Sequence, residues 1–292
     1  MQSVRGPVVR SPEKTRQRPL VSGKTWASDV PGGPQDTDKA DRRDCPVRQA
    51  LREVEEQFAV RCTSGDGACL HSYENFCTEV GRVYDEAVHC AGDPRVAVGY
   101  RAFKAETAAQ FAAMVSAGLS VRPWLGADQP YTSSRDLRAR VTTAGVLFVF
   151  LTRRGHGKLT GATPGHPMCQ DSGLVIDGEP LLYNDLFRAV HDGIGHVLYV
   201  NDFTLSGELR AAFAHMRMYS PRAVAALLTE TVGQICWFYR GPHMLTSGGR
   251  PLQPGDLGYF PPRSRPYPDQ KAFLFSEHLI AEFRSRFEEV SE

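Results

Sequence analysis

The segment Asn184-Asp185-Leu186-Phe187-Arg188-Ala189-Val190-His191-Asp192-Gly193-Ile194-Gly195-His196 gathers two histidines and two aspartates into one short stretch. Imidazole and carboxylate are ordinary ligands of zinc and of non-haem iron. On a regular helix, at about 100° per residue, His191 and His196 stand roughly 140° apart. They converge on one ion only where the helix is locally loosened. Gly193 and Gly195 permit that loosening, and each costs about 1 kcal/mol relative to Ala in a helix interior. Two such residues flanking Ile194 make sense where backbone or ligand must come close. Asp192 and His196, four apart, already share a face. The plainer alternative is a helix start with hydrogen-bonded structural histidines.

Further along, Glu208 and His215 are seven apart and occupy one helical face, with Tyr219 four beyond. Glu230 sits in Thr229-Glu230-Thr231-Val232-Gly233-Gln234, between two apolar runs that end at Leu228 and resume at Ile235. A carboxylate embedded there is expensive unless it pairs with a cation, Arg188 or Arg217, or binds a metal. Two histidines and one carboxylate with open coordination positions form the ligand set of non-haem iron(II) oxygenases.

These residues need a scaffold, and the patterning predicts an α+β, mainly helical one with a small sheet. Residues 1–44 are rich in Pro, Gly, Ser and basic residues and read as a disordered tail. Residues 45–95 read as a small helical, Cys-containing extension, with helices over 46–60 and 70–89. Residues 96–292 read as the metal-binding catalytic domain. Its predicted helices run over 100–117, 134–142, 186–200, 206–218, 221–239 and 269–289, with strands at 121–124 and 146–151. A turn-rich stretch over 153–182 carries His156 and His166, and a Pro/Gly loop covers 241–268.

Composition narrows the function classes. The chain has 292 residues and a net charge of +1, so no general polyanion-binding surface is implied. Its longest apolar runs are too short to span a bilayer, and no secretory h-region opens the chain. Seven cysteines without a C-x-x-C pair argue against a zinc finger and for reduced thiols of a cytoplasmic protein. No Gly-rich nucleotide loop is present.

Two resemblances follow from these motifs. His191-Asp192-Gly193-Ile194-Gly195-His196-Val197 resembles the His-Glu-x-x-Gly-His-Val segment of the pterin-dependent aromatic amino acid hydroxylases, with Asp192 in place of Glu. Glu230 with Gly233 resembles the glutamate that completes their iron site. From about 98 to 275 the chain also resembles a domain of large phage polyvalent proteins and their free-standing bacterial relatives. The matching pieces include Phe103-Lys104-Ala105-Glu106-Thr107, His166-Pro167, Asn184 to Asp192, Met218-Tyr219-Ser220-Pro221, Thr229 to Gln234 and Tyr267-Pro268-Asp269-Gln270-Lys271.

The reading that follows is a metal-dependent enzyme, a mononuclear non-haem iron oxygenase acting on a small, aromatic or amino-acid-like molecule. Fe(II) is expected on His191, His196 and Glu230, with a reducing cosubstrate that the sequence does not identify. His215 and Glu208 would orient those ligands or add to them, and Asp192, Tyr219 and Gln234 would face the substrate. Phe187, Trp237 and Phe238 would line an apolar pocket. The alternatives are a zinc-dependent hydrolase on the same ligands, with Asp192 or Glu208 as general base, and a non-catalytic phage-derived interaction module.

Overall fold

The computed structural model describes residues 45–59, 69–155 and 163–288. The expected tail over 1–44, Cys62 and His156 lie outside the described residues. Helices dominate, joined by three two-stranded pairings, so the mainly helical α+β expectation holds. No helix among the described residues is long and apolar enough to cross a membrane.

Pro46 opens α1 (Pro46–Phe58), which turns Leu51 and Val54 inward. The next helix, α2 (Tyr73–Glu86), buries Phe76, Val80 and Tyr84. Then α3 (Pro94–Ser116) starts earlier than its apolar stripe suggests. Pro94 is preset for a first turn, and the Asp93 carboxylate accepts the Arg95 N–H at 2.7 Å. Its buried stripe runs through Tyr100, Phe103, Thr107, Phe111 and Met114.

Three pairings frame these helices. Strand β1 (Cys69–Leu70) pairs antiparallel with β6 (Phe287–Glu288). Strands β2 (Ser120–Trp124) and β3 (Val146–Phe150) pair in parallel across α4 (Ser134–Ala144), a short β-α-β crossover. The turn-rich stretch after Gly155 holds an unforeseen hairpin, β4 (Asp171–Ile176) and β5 (Glu179–Leu182). Its connection is Asp177-Gly178, with φ of 53° and 81°, the left-handed pair that a tight hairpin turn favours.

The site-bearing elements come next. Helix α5 (Tyr183–His191) continues into a π-helical segment, Asp192–Leu198. It is followed by α6 (Leu205–Met216) and α7 (Pro221–Leu228). A second π-helical segment, Thr229–Gly233, joins α7 to α8 (Gln234–Arg240). The last helix, α9 (Glu277–Ser285), begins later than the predicted 269. The chain before it stays extended because its backbone is already engaged. The Ala272 carbonyl accepts from Cys90 N–H at 2.9 Å and the Phe273 carbonyl accepts from Thr229 Oγ1 at 2.9 Å. Ser276 then caps α9 by accepting the Leu279 N–H at 3.2 Å.

One apolar cluster takes in Leu51, Tyr84, Tyr100, Phe103, Val190, Ile194, Leu209, Leu227 and Phe283, so the early helices share a core with the site-bearing ones. The first π segment is buried at every position from Asp192 to Leu198. Its closest neighbour is α6. A Cβ added at Gly195 would lie 2.7 Å from Ala211 Cβ and 3.3 Å from its Cα. At Gly193 the nearest atom, at 2.8 Å, is the terminal methyl of Met114, which can move aside.

Gly195→Ala should therefore destabilise the fold by about 1–3 kcal/mol through overpacking against a rigid helix. Gly193→Ala should lose less. Urea unfolding midpoints of the two variants check the order, and equal losses would contradict it.

Candidate metal centre

The π geometry answers the question posed by the His191–His196 spacing. A π turn closes hydrogen bonds five residues apart, as Tyr199 N–H does on the Ile194 carbonyl at 3.2 Å. Residues five apart then stack on one face, and the two rings come to 5.1 Å between centroids. Close approach at Gly195 lets α6 present Glu208 to the same face.

The result is a buried group of three donors, His191, His196 and Glu208, with one ligand atom of each within 4.8 Å of the others. His191 Nε2 lies 3.5 Å from Glu208 Oε2, and His196 Nε2 lies 3.5 Å from Glu208 Oε1. Those separations are long for hydrogen bonds. They match the spacing, about 3–3.5 Å, of atoms that share an ion at about 2.1 Å each.

His196 is oriented for ligation. Its Nδ1 sits 3.0 Å from the Asn201 carbonyl, which can only accept, so Nδ1 carries the hydrogen and Nε2 keeps its lone pair. The Asn201 side chain in turn donates to the Gly195 carbonyl at 2.9 Å. Between them Val200 takes a left-handed φ of 58°, an outlier for a β-branched residue that bends the chain back to the histidine. Neither His196 Nε2 nor Glu208 Oε1 makes a hydrogen bond, although both are buried. Buried polar atoms left without partners at one point are what a cation would satisfy.

The charges fit as well. Burial pushes the Glu208 carboxyl up, but His196 and His191 outweigh it and hold it at about 2. Burial also opposes a charge on His196, yet Glu208 raises its pKa. Burial lowers that of His191.

The carboxylate differs from the one expected. Glu230 does not belong to the three-donor group. Its Oε1 accepts from Tyr100 Oη at 2.5 Å and lies 3.2 Å from His166 Nε2. Its Oε2 accepts from Gln234 Nε2 at 2.9 Å. Glu208, expected as an accessory, takes the carboxylate place because α6 packs onto the π segment, while α7 and α8 carry Glu230 toward α3.

Both carboxylates nonetheless line one cavity of about 50 Å³, room for a few water molecules. Asn184, Phe187, Arg188, His191, Gln234 and Tyr267 line it too. Burial first drives the Tyr267 phenol up, with Glu208, Glu230 and Asp192 adding to the shift and Arg188 opposing it. Those four charged groups thus share one neighbourhood.

The remaining expected residues fall in varied places. Gln234 lines the cavity, whereas Asp192 and Tyr219 are not among its lining residues. Asp192 is buried with Oδ1 lacking a hydrogen bond. The Tyr219 hydroxyl lies 2.8 Å from Thr107 Oγ1. His215 stacks on Phe187 at 5.5 Å, and its Nε2 lies 3.1 Å from Gln110 Oε1. Of the three expected apolar residues only Phe187 lines the cavity; Trp237 Nε1 donates to Asp85.

No family model, curated protein or solved structure matches the chain. Its function is therefore argued from the site itself.

Two outcomes are expected. Glu208→Gln, His191→Ala and His196→Ala should each weaken metal binding by more than the roughly 10–100-fold that losing a supporting partner costs. Glu230→Gln should keep full stoichiometry. Metal content after dialysis checks this, and a metal-replete Glu208→Gln protein would sink the assignment.

The second concerns acid. Burial holds the His215 pKa well below its ordinary value, so the unfolded chain binds a proton that the folded chain refuses. Metal-free protein should therefore lose stability as pH falls below about 6.5. His191 acts in the same sense; the raised pKa of His196 works against it, adding stability that is full below about 6.5 and lost as pH rises through its folded value. His215→Gln should flatten the slope by up to about 1.4 kcal/mol per pH unit. An unchanged slope in urea unfolding between about pH 6.5 and 5 would count against it.

Proposed function

We propose that this chain is a metal-dependent enzyme, a mononuclear non-haem iron(II) oxygenase acting on a small, aromatic or amino-acid-like molecule. One observation carries the reading: two imidazoles and one carboxylate converge, buried, with unpartnered donor atoms, and two of them line a small cavity. Three protein ligands leave coordination positions for dioxygen or substrate, which is how that ligand set is used. Phe187 and Ile235 give the cavity an apolar side, and Arg188, Asn184 and Gln234 a polar one, and at about 50 Å³ it admits dioxygen or the reacting end of such a molecule rather than the whole of it. In this reading iron supplies the oxygen chemistry, and the protein excludes bulk water and positions the substrate. The resemblance to phage polyvalent-protein domains agrees with a self-contained polar site over this part of the chain.

The presence of Glu230 on the cavity wall favours a second reading, a zinc-dependent hydrolase, because hydrolysis needs a base near the metal.

Anaerobic reconstitution with Fe(II) followed by nitric oxide tests the first reading. About one iron per chain, with the electron paramagnetic resonance signal of a high-spin iron–nitrosyl, is the expected result. One zinc per chain retained against excess iron, with no nitrosyl signal, would replace the oxygenase by the hydrolase. A chain that binds neither metal would leave the non-catalytic module.

A further inference from the structure

The residue that closes the first π turn has its side chain held by a helix that supplies no metal donor. Tyr199 N–H bonds to the Ile194 carbonyl at 3.2 Å, five residues back. An α turn would close on the Gly195 carbonyl, four residues back. That carbonyl is engaged by Asn201 Nδ2 at 2.9 Å. One step of register at this end separates a turn that stacks His191 and His196 from one that leaves them roughly 140° apart.

The Tyr199 hydroxyl donates to Glu55 Oε1 on α1. Glu55 is buried on the inward face of α1, four residues after Leu51. A second side chain reaches the same oxygen. Arg217 Nη2 lies 3.6 Å from Glu55 Oε1, and Arg217 Nη1 lies 3.5 Å from Tyr199 Oη. Arg217, weighed from sequence as a partner for Glu230, therefore stands beside Glu55 instead. Tyr199 follows the segment that carries His196, and Arg217 follows the helix that carries Glu208. One buried carboxylate thus ties together the two elements whose meeting builds the donor group. From the same helix, Leu51 Cδ2 would lie 3.4 Å from a Cβ at Gly193, so α1 also bears on the middle of the segment. A buried carboxylate costs stability unless it is paired and hydrogen-bonded, and fixing a register is the best-attested use of such groups.

We propose that Glu55 is a positioning residue of the metal centre, holding the π register through Tyr199 and the end of α6 through Arg217. It is not a member of the donor group and acts on it only through these two neighbours. The proposal rests on the metal reading for its consequence, but the register itself needs no ion.

Two measurements on the full chain test it together: Zn²⁺ affinity by competition with a chromophoric chelator, and hydrogen exchange at the Tyr199 amide without metal. Glu55→Ala and Tyr199→Phe should each weaken zinc binding and speed that exchange by about tenfold or more. The double variant should be no weaker than either single one, because both remove the same bond. Glu55→Gln keeps an acceptor for the Tyr199 hydroxyl and should recover most of both effects. A residue that only added stability would lower the urea midpoint and leave the zinc affinity of the folded chain unchanged. Wild-type affinity and exchange in Tyr199→Phe would therefore overturn the assignment, and that variant keeps its ring should Glu55→Ala fold poorly. A wild-type chain that takes up no zinc would overturn the metal reading and the positioning role with it. Unchanged exchange in variants of a zinc-binding chain would overturn the role of Glu55 alone.

Discussion

The approach of α6 to the first π segment is the contact on which the site depends. Side chains five apart on a π turn face the same way, but that alone gives two imidazoles and no anion. The carboxylate arrives from a different helix, and Ala211 can come near only because Gly195 has no Cβ. Glu208 lies three residues, slightly less than one turn, before Ala211, so the same approach carries it to the imidazoles. A π turn is intrinsically poorer than an α turn and persists where packing enforces it. Here every residue from Asp192 to Leu198 is buried, and α1, α4 and α6 close around the segment.

Electrostatics then explains why such a group is tolerated in a core. An isolated buried carboxylate would be protonated or excluded. The two imidazoles hold the Glu208 pKa down and Glu208 raises that of His196, so each favours the other's charged form. A metal ion held there would supply a stronger positive charge and would satisfy the donor atoms left without hydrogen bonds. Metal binding there would compete with any proton on the same donor atoms.

Much of the arrangement was readable from residue order. The glycines around Ile194 announced a loosened helix, and the apolar stripes placed most helices. The choice between Glu208 and Glu230 was not readable. Both are carboxylates on apolar helices, and what separates them is which helix packs on the π segment, a tertiary fact. The isolation of Glu230 among apolar residues marked it as unusual, and the structure places it on the cavity wall and outside the three-donor group. His166 was missed as a partner because it comes from a stretch without periodicity. The β4–β5 hairpin had a usable signal, Asp177-Gly178 between Leu174-Val175-Ile176 and Pro180-Leu181-Leu182, which the density of turn residues around it concealed.

The two π segments share a physical logic. Loops could bring imidazoles and carboxylates together, but a loop's backbone needs solvent or added partners for its polar groups. A helix distorted by one π turn keeps nearly all its backbone hydrogen bonds while re-aiming one or two side chains, so it stays within an apolar core. His191, with Nε2 3.5 Å from Glu208, and Glu230, with both oxygens engaged, are held in this way, each on a helix packed on several sides. The cavity between them is therefore walled by rigid elements, and its polar groups keep their spacing without a ligand to organise them. Under the proposed function, preorganisation of that kind would let a small site act on a small molecule without relying on the binding energy of a large one.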